Sequence, residues 1–128
     1  MRILLDTVTF LWAVTDAPEL SSESRELFED PDNEIYLSSV STWEIAIKHS
    51  LGKLPLPEAP AKFIPTQRKQ HDIDSLSLDE EATLYLTRLP VLHRDPFDRM
   101  LVCQAVMQHL VILTPDELIS QYSVRTIW

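Results

Sequence analysis

Ile3-Leu4-Leu5-Asp6, near one end of the chain, and Val111-Ile112-Leu113-Thr114-Pro115-Asp116, near the other, decide how this sequence folds. Each is an unbroken apolar run that gives way to an aspartate. Apolar runs too short for a helix read as strands buried on both faces, the habit of parallel sheets. Between the two runs the period changes. Phe10, Leu11 and Val14 take helical spacing, Ser22 to Glu29 reads as a polar surface helix, and Glu34 to Leu37 reads as a second strand. A helix is predicted over Ser41–Leu51, closed by Gly52, the residue favoured just past a helix end. Ala59 to Gln70 reads as a helix broken at Pro65, Ile73 to Leu76 as a strand, and Leu78 to Leu89 as an amphipathic helix. Asp95-Pro96 opens the most apolar helix, Phe97 to His109, and a short helix with a last strand near Val124 to Ile127 ends the pattern. Strands alternating with helices predict a single α/β domain over residues 1–128, with a mostly parallel central sheet and helices on both faces.

Composition narrows the chemistry. With 128 residues, 45% of them hydrophobic, the chain is long enough to bury a core. Its one glycine, Gly52, excludes a P-loop and a dinucleotide-binding fingerprint, both of which need several. Prolines at 55, 57, 60 and 65 predict an extended link between two helical regions. The lone Cys103 lies in an apolar run and reads as a small buried hydrophobe, which suits a reducing cytoplasm. The N-terminal Met1-Arg2 brings charge too early for a secretion signal, and no run has the length of a membrane span, so a cytoplasmic protein with no membrane contact is expected. The net charge of −9 argues against passive nucleic-acid binding, which needs a basic footprint. It does not argue against an enzyme that meets phosphates through cations.

The acids carry the rest. In a parallel sheet, Asp6 and Asp116 stand at the same edge, where open α/β sheets place their ligands. Two helix starts bring acids to that side. Ser41-Thr42-Trp43-Glu44 has the spacing of a capping box, and Asp95-Pro96-Phe97-Asp98 repeats it with an aspartate cap and proline in first helical position. Singly, each acid has an ordinary explanation as a cap or a complement to the helix dipole. Together, Asp6, Glu44, Asp98 and Asp116 would repel one another without a cation. Oxygen donors with no Cys or His at metal spacing point to Mg2+, or Mn2+, rather than zinc. Such an ion activates water against a phosphodiester.

Leu4-Leu5-Asp6-Thr7, Ser41-Thr42-Trp43-Glu44-Ile45, His93-Arg94-Asp95-Pro96-Phe97-Asp98-Arg99 and Leu113-Thr114-Pro115-Asp116 resemble, in order and along essentially the whole chain, the successive motifs of PIN-domain proteins. The likeness is greatest to VapC-type toxins with a WEI and an HRDPFDR segment. The resemblance implies a three-layer α/β/α fold, Mg2+-dependent cleavage of RNA, and neutralisation by a cognate antitoxin, with a homodimer or a hetero-oligomer with the antitoxin as the assembled form. It places the family's acids on Asp6, Glu44, Asp98 and Asp116 as catalytic and metal-binding residues, with Asp95 an additional acid of the subgroup that is a cap, an outer group or a ligand. Where relatives often carry histidine or asparagine two residues after the first aspartate, this chain has Val8.

Thr7 and Thr114 flank the acids and are candidates for holding a metal-bound water; ordinary turn roles suit them equally. Arg94 and Arg99 are candidates for RNA phosphate contact. Lys48 follows Glu44 by one helical turn and reads as its ion-pair partner. The four histidines share no spacing and none is assigned. Trp12 and Trp43 read as core or interface anchors. An antitoxin groove is expected beside Phe10, Leu11, Trp12 and Phe28, with a basic antitoxin residue reaching the acids. Other readings are a phosphohydrolase or DNA nuclease using the same metal, and a non-catalytic PIN-like domain that only binds a partner. With no histidine pair for a cyclic-phosphate route, cleavage is expected to leave a 5′-phosphate and a 3′-hydroxyl.

Overall fold

The computed structural model describes residues 1–128. β1 (Arg2–Leu5) is the middle strand of a five-stranded sheet ordered β3-β2-β1-β4-β5, where β2 is Glu34–Ser38, β3 Ile73–Leu76, β4 Val111–Leu113 and β5 Thr126–Ile127. All four neighbouring pairs are parallel, as the buried apolar runs predict. The chain winds outward from β1 through β2 to β3, then returns to the other side of β1 with β4. Between β1 and β4 the winding reverses, and this is where an open sheet forms a crevice at its strand ends. The register sets Leu5 opposite both Leu37 and Leu113, so the three central strands finish level.

Alternation along β1 divides the core. Ile3 and Leu5 point to one face, where they meet Phe10, Phe28, Ile45 and Phe63. Leu4 points to the other and meets Leu101, Val102, Ile112 and Ile119. All three β1 side chains are fully buried. The first face is covered by α1 (Thr7–Val14), α2 (Ser22–Glu29) and α4 (Pro60–Gln70), and the second by α5 (Glu80–Tyr85), α6 (Pro96–Gln108) and α7 (Glu117–Ser120). α3 (Ser39–Ser50) serves both, through Ile45 and Val40. The result is the three-layer α/β/α arrangement. α6 carries five consecutive buried residues, Leu101 to Ala105, including Cys103. No helix is long and apolar enough to cross a membrane.

Three local expectations need correction. α3 starts at Ser39, not Ser41, so there is no capping box at Ser41-Glu44. The cap is Ser38, whose hydroxyl accepts from the Val40 amide at 3.0 Å and donates to the buried Gln104 of α6. This double use fixes the start of the helix, and Glu44 falls beyond its first turn. α4 runs through Pro65 without breaking. An interior proline costs about 3 kcal/mol; burial of Phe63 and Ile64 beside it offsets that cost. The helix expected from Leu78 begins at Glu80 because Asp79 caps it, accepting from Ala82 N at 2.8 Å, and it ends in a 3-10 turn at Leu86–Arg88.

The aromatics of the first helices are also redistributed. Phe10 and Phe28 are core residues; Phe10 is fully enclosed, while Phe28 also borders a hollow with Asp30, Gln70 and His71. Leu11 and Trp12 are only partly buried against the same core, and the Trp12 ring lies 5.8 Å from that of Trp128. Trp43, in contrast, is 59% exposed and is not a core anchor.

Candidate active site

The end of β1 delivers Asp6, which is 3% exposed and caps α1: its Oδ1 accepts from the Thr9 amide at 2.7 Å. Its Oδ2 accepts from the hydroxyl of Thr114, the residue that follows β4. Level strand ends make this pairing possible. The same Thr114 hydroxyl accepts from the Asp116 amide at 3.0 Å, and Asp116 caps α7 by accepting from Leu118 N at 2.9 Å. One threonine thus ties the two strand-end aspartates together.

Glu44 enters from α3 and is 5% exposed. Its Oε1 accepts from the Thr7 hydroxyl at 2.7 Å, and its Oε2 takes the Lys48 ammonium one turn on. Thr7 Oγ1 also lies 2.9 Å from the buried Ser41 hydroxyl, whose proton it can accept. Thr7 and Thr114 therefore orient carboxylates directly. Asp95 caps α6 by accepting from Phe97 N at 2.9 Å and Asp98 N at 3.1 Å, which sets Asp98 in the first helical turn.

Asp98 has a neighbour that motif spacing does not reveal. His93 Nε2 lies 3.4 Å from Asp98 Oδ2, out of hydrogen-bond alignment, on a ring that is almost wholly buried. His93 Nδ1 lies 2.8 Å from the Tyr122 hydroxyl. That hydroxyl already accepts from Arg99 Nη1 at 3.1 Å and from the His93 amide at 3.3 Å. Its own proton is thus directed to Nδ1, which leaves the neutral ring protonated on Nε2, facing Asp98. Arg99 also donates to Pro90 O at 2.9 Å, so its guanidinium is engaged within the fold. Arg94 is exposed and forms neither an ion pair nor a hydrogen bond.

The field of the site is strongly negative. Burial, then Asp95, Asp116, Asp6 and Glu44, push the Asp98 carboxyl up to about 7. Burial also raises Asp6, against the hydrogen bonds from Thr114 and Thr9 that favour its charged form. The hydrogen bond to Glu44 raises Lys48, with Asp95 and Asp98 adding to it. All four expected acids, and Asp95, therefore act on one another. No three of them stand close enough to grip one ion directly. This suits magnesium, which binds through one or two carboxylates and keeps several waters through which other acids act. The donors are all oxygen, and their mutual repulsion is relieved by positive charge, so the residues present fit a hard divalent cation. Glu44, with both oxygens engaged, is the least available for direct contact.

The profile of the PIN domain matches residues 3–124. Ribonuclease VapC16 of Mycobacterium tuberculosis is 39% identical over 69 residues, covering 54% of this chain and 49% of the relative; the alignment spans about half of that protein's length. Among solved structures, VapBC2 from Rickettsia felis, bound to a promoter DNA fragment, aligns with a TM-score of 0.75 at 16% identity over 99% of this chain and 98% of the other. DNA-bound VapBC from Salmonella typhimurium gives 0.66 at 17% identity over 99% and 97%. VapBC-5 from Mycobacterium tuberculosis, of the VapBC family of toxin–antitoxin systems, gives 0.62 at 19% identity over 98% and 97%. At these identities the structural matches speak for the fold, and the profile match covers nearly all of the sequence that builds it, from the strand ending at Asp6 to the segment beyond Asp116: the chain belongs to the PIN-domain family.

Proposed function

We propose that this protein is a magnesium-dependent endoribonuclease and the toxin of a toxin–antitoxin pair. The observation that carries the reading is the gathering of Asp6, Glu44, Asp98 and Asp116 beyond the ends of β1 and β4, with Thr114 linking Asp6 to Asp116, Thr7 holding Glu44, and Asp98 pushed up to about 7 by burial and by the acids around it. The partial identity to Ribonuclease VapC16 gives the activity its direction. Asp6, Asp98 and Asp116 would hold Mg2+ (or Mn2+), one or two of them directly and the rest through its waters, with Glu44 acting at longer range. When bound, the ion supplies Lewis-acid stabilisation of charge on a phosphate oxygen and lowers the pKa of a water.

The chain's own groups do the rest. Asp6 is clamped by Thr9 and Thr114 and keeps its orientation as substrate arrives. Lys48 offsets part of the acidic charge that would repel an RNA backbone. Tyr122 fixes the His93 ring, whose Nε2 stands 3.4 Å from Asp98 Oδ2. The crevice holds no imidazole pair to take a proton from a 2′-hydroxyl and deliver one to the leaving oxygen. The products are therefore a 5′-phosphate and a 3′-hydroxyl, and single-stranded loops, whose bases are splayed, are the suited substrate.

The likeness to VapBC assemblies supports an antitoxin partner; a basic residue of that partner would meet the acids, with a homodimer or a hetero-oligomer as the assembled form. A cytoplasmic location accompanies this role. The test incubates purified protein with structured RNA, with and without Mg2+, and identifies the new termini. Cleavage that persists in chelator, or a 2′,3′-cyclic phosphate among the products, overturns the mechanism. Growth arrest on expression, relieved by a co-expressed antitoxin, tests the toxin role.

A further inference from the structure

Beside the acids lies an apolar hollow that neither the fold nor the metal chemistry requires. It has a volume of about 200 Å³ and is bounded by Val40, Leu78, Leu86 and Met100, with Trp43 and Arg94 also lining it. Trp43 immediately precedes Glu44, and Phe97 immediately precedes Asp98. Their rings meet edge to face, with centroids 5.1 Å apart and planes at 74°. That contact fixes the indole while leaving it 59% exposed. A rigid, exposed indole next to an unpaired guanidinium is unusual in a chain of net charge −9 with acids close by.

The charge balance says what it is for. A protein this acidic gains little from displacing counterions from a nucleic-acid backbone, the term that dominates most such binding. If it is to hold a single strand over its carboxylates, much of the affinity must come from base stacking, which is indifferent to net charge. Unpaired bases stack on aromatic rings and on arginine planes. We propose that Trp43 and Arg94 form a nucleobase subsite: one unstacked base of the RNA lies on the Trp43 indole over the hollow, and Arg94 contacts its plane or the adjoining phosphate. The inference rests on the ribonuclease reading and deepens it by assigning how the strand is held.

The test uses the full-length protein with Asp98→Asn, so that the RNA stays intact, and a short labelled oligoadenylate in Mg2+. Adding Trp43→Ala should weaken binding roughly tenfold to a hundredfold, the size of one lost stacking contact, while Trp43→Phe should retain most of it. Adding Arg94→Gln should lower the salt slope of binding by about one unit if Arg94 meets phosphate, whereas Trp43→Ala should leave that slope unchanged. Removing a single base from the oligonucleotide, position by position, should reveal one position whose loss weakens the parent but not the Trp43→Ala protein. If active wild type and its Trp43→Ala variant bind and cut RNA equally, the subsite is refuted and the ribonuclease reading stands. If Trp43→Ala instead converts an oligomer to a monomer and leaves RNA binding by the monomer intact, the face is a protein contact. If wild type neither binds nor cuts RNA, the ribonuclease reading falls and the subsite with it.

Discussion

Asp6 and Glu44 occupy one kind of place in this site, Asp98 and Asp116 another. The first two are almost wholly buried, and every carboxylate oxygen has a partner: Thr9 and Thr114 for Asp6, Thr7 and Lys48 for Glu44. The second pair is partly exposed at helix starts, and the nearest group to Asp98 across from its own helix is a histidine 3.4 Å away and poorly aligned. Satisfied acids belong to the structure as much as to the site. Under-satisfied acids hold their energy in reserve for something that arrives. The difference separates groups whose removal damages the fold from groups whose removal relieves it.

The largest expected effect comes from breaking this contrast directly. Asp6→Ala and Asp98→Asn should both reduce ribonuclease activity on the order of a hundredfold to a thousandfold, the loss typical of one preorganised electrostatic group. Their stabilities should diverge. Asp6→Ala removes a helix cap, a loss of about 1 kcal/mol, and strands a buried hydroxyl, so its unfolding temperature should fall. Asp98→Asn removes like-charge repulsion and should melt higher than wild type in chelator. Calorimetry of both proteins decides it, and a parallel fall would dissolve the distinction.

Next in size is the response to pH. Between the ordinary carboxylate pKa, about 3.9, and the value of about 7 for folded Asp98, the native protein keeps a proton that the unfolded chain has released. Stability is therefore greatest below that window and declines as pH rises through it. In chelator the unfolding temperature should fall from about pH 4 to about pH 7 more steeply in wild type than in Asp98→Asn. Mg2+ added above pH 7 should restore it, by about 2.7 kcal/mol at a hundred times the dissociation constant. A wild-type profile matching that of Asp98→Asn would remove Asp98 from the cluster.

Lys48→Met sharpens the comparison from the other side. It takes the only ammonium from Glu44 and leaves the acids less balanced, so stability in chelator should drop while Mg2+ binds more tightly. The pair is half open to solvent on the lysine side, which limits the gain in affinity to roughly fivefold. Titration calorimetry with Mg2+ reads it, and weaker binding would mean that Lys48 organises Glu44 for the ion. The smallest effect belongs to Tyr122→Phe. Removing one hydroxyl from the Arg99–Tyr122–His93 network should lower kcat/KM a few-fold, in line with a net hydrogen-bond contribution of about 1 kcal/mol. In an Asp98→Asn background the same change should leave Mg2+ affinity untouched, because the network acts through Asp98.

Much of this was legible before any coordinate. β1 and β4 were readable because parallel strands buried on both faces must be apolar throughout, and Asp6 and Asp116 stood out because they end such runs. The start of α3 was not, since Ser38, Ser39, Ser41 and Thr42 can all cap, and the choice was made by Gln104 from a helix far along the chain. Phe10 and Phe28 looked surplus on short helices because their burial depends on α3, α4 and the sheet. His93 and Tyr122 had no motif in common; only the turn of α7 brings them together. Glu44–Lys48 was visible as a helical pair, but its place in the field of Asp95 and Asp98 exists only once α6 packs on α3.

The position of β1 at the centre of the sheet has a consequence in time. A ribosome delivers Asp6 with β1, but the strand on its other flank, with Thr114 and Asp116, comes only after α6. Pairing across such a sequence separation is slow and late. A nascent or prematurely ended chain that stops before Val111 carries three of the four acids yet has no crevice to gather them. Synthesis itself acts as a safety catch: the acids can be gathered only once β4 and the residues that follow it have been made and paired with β1.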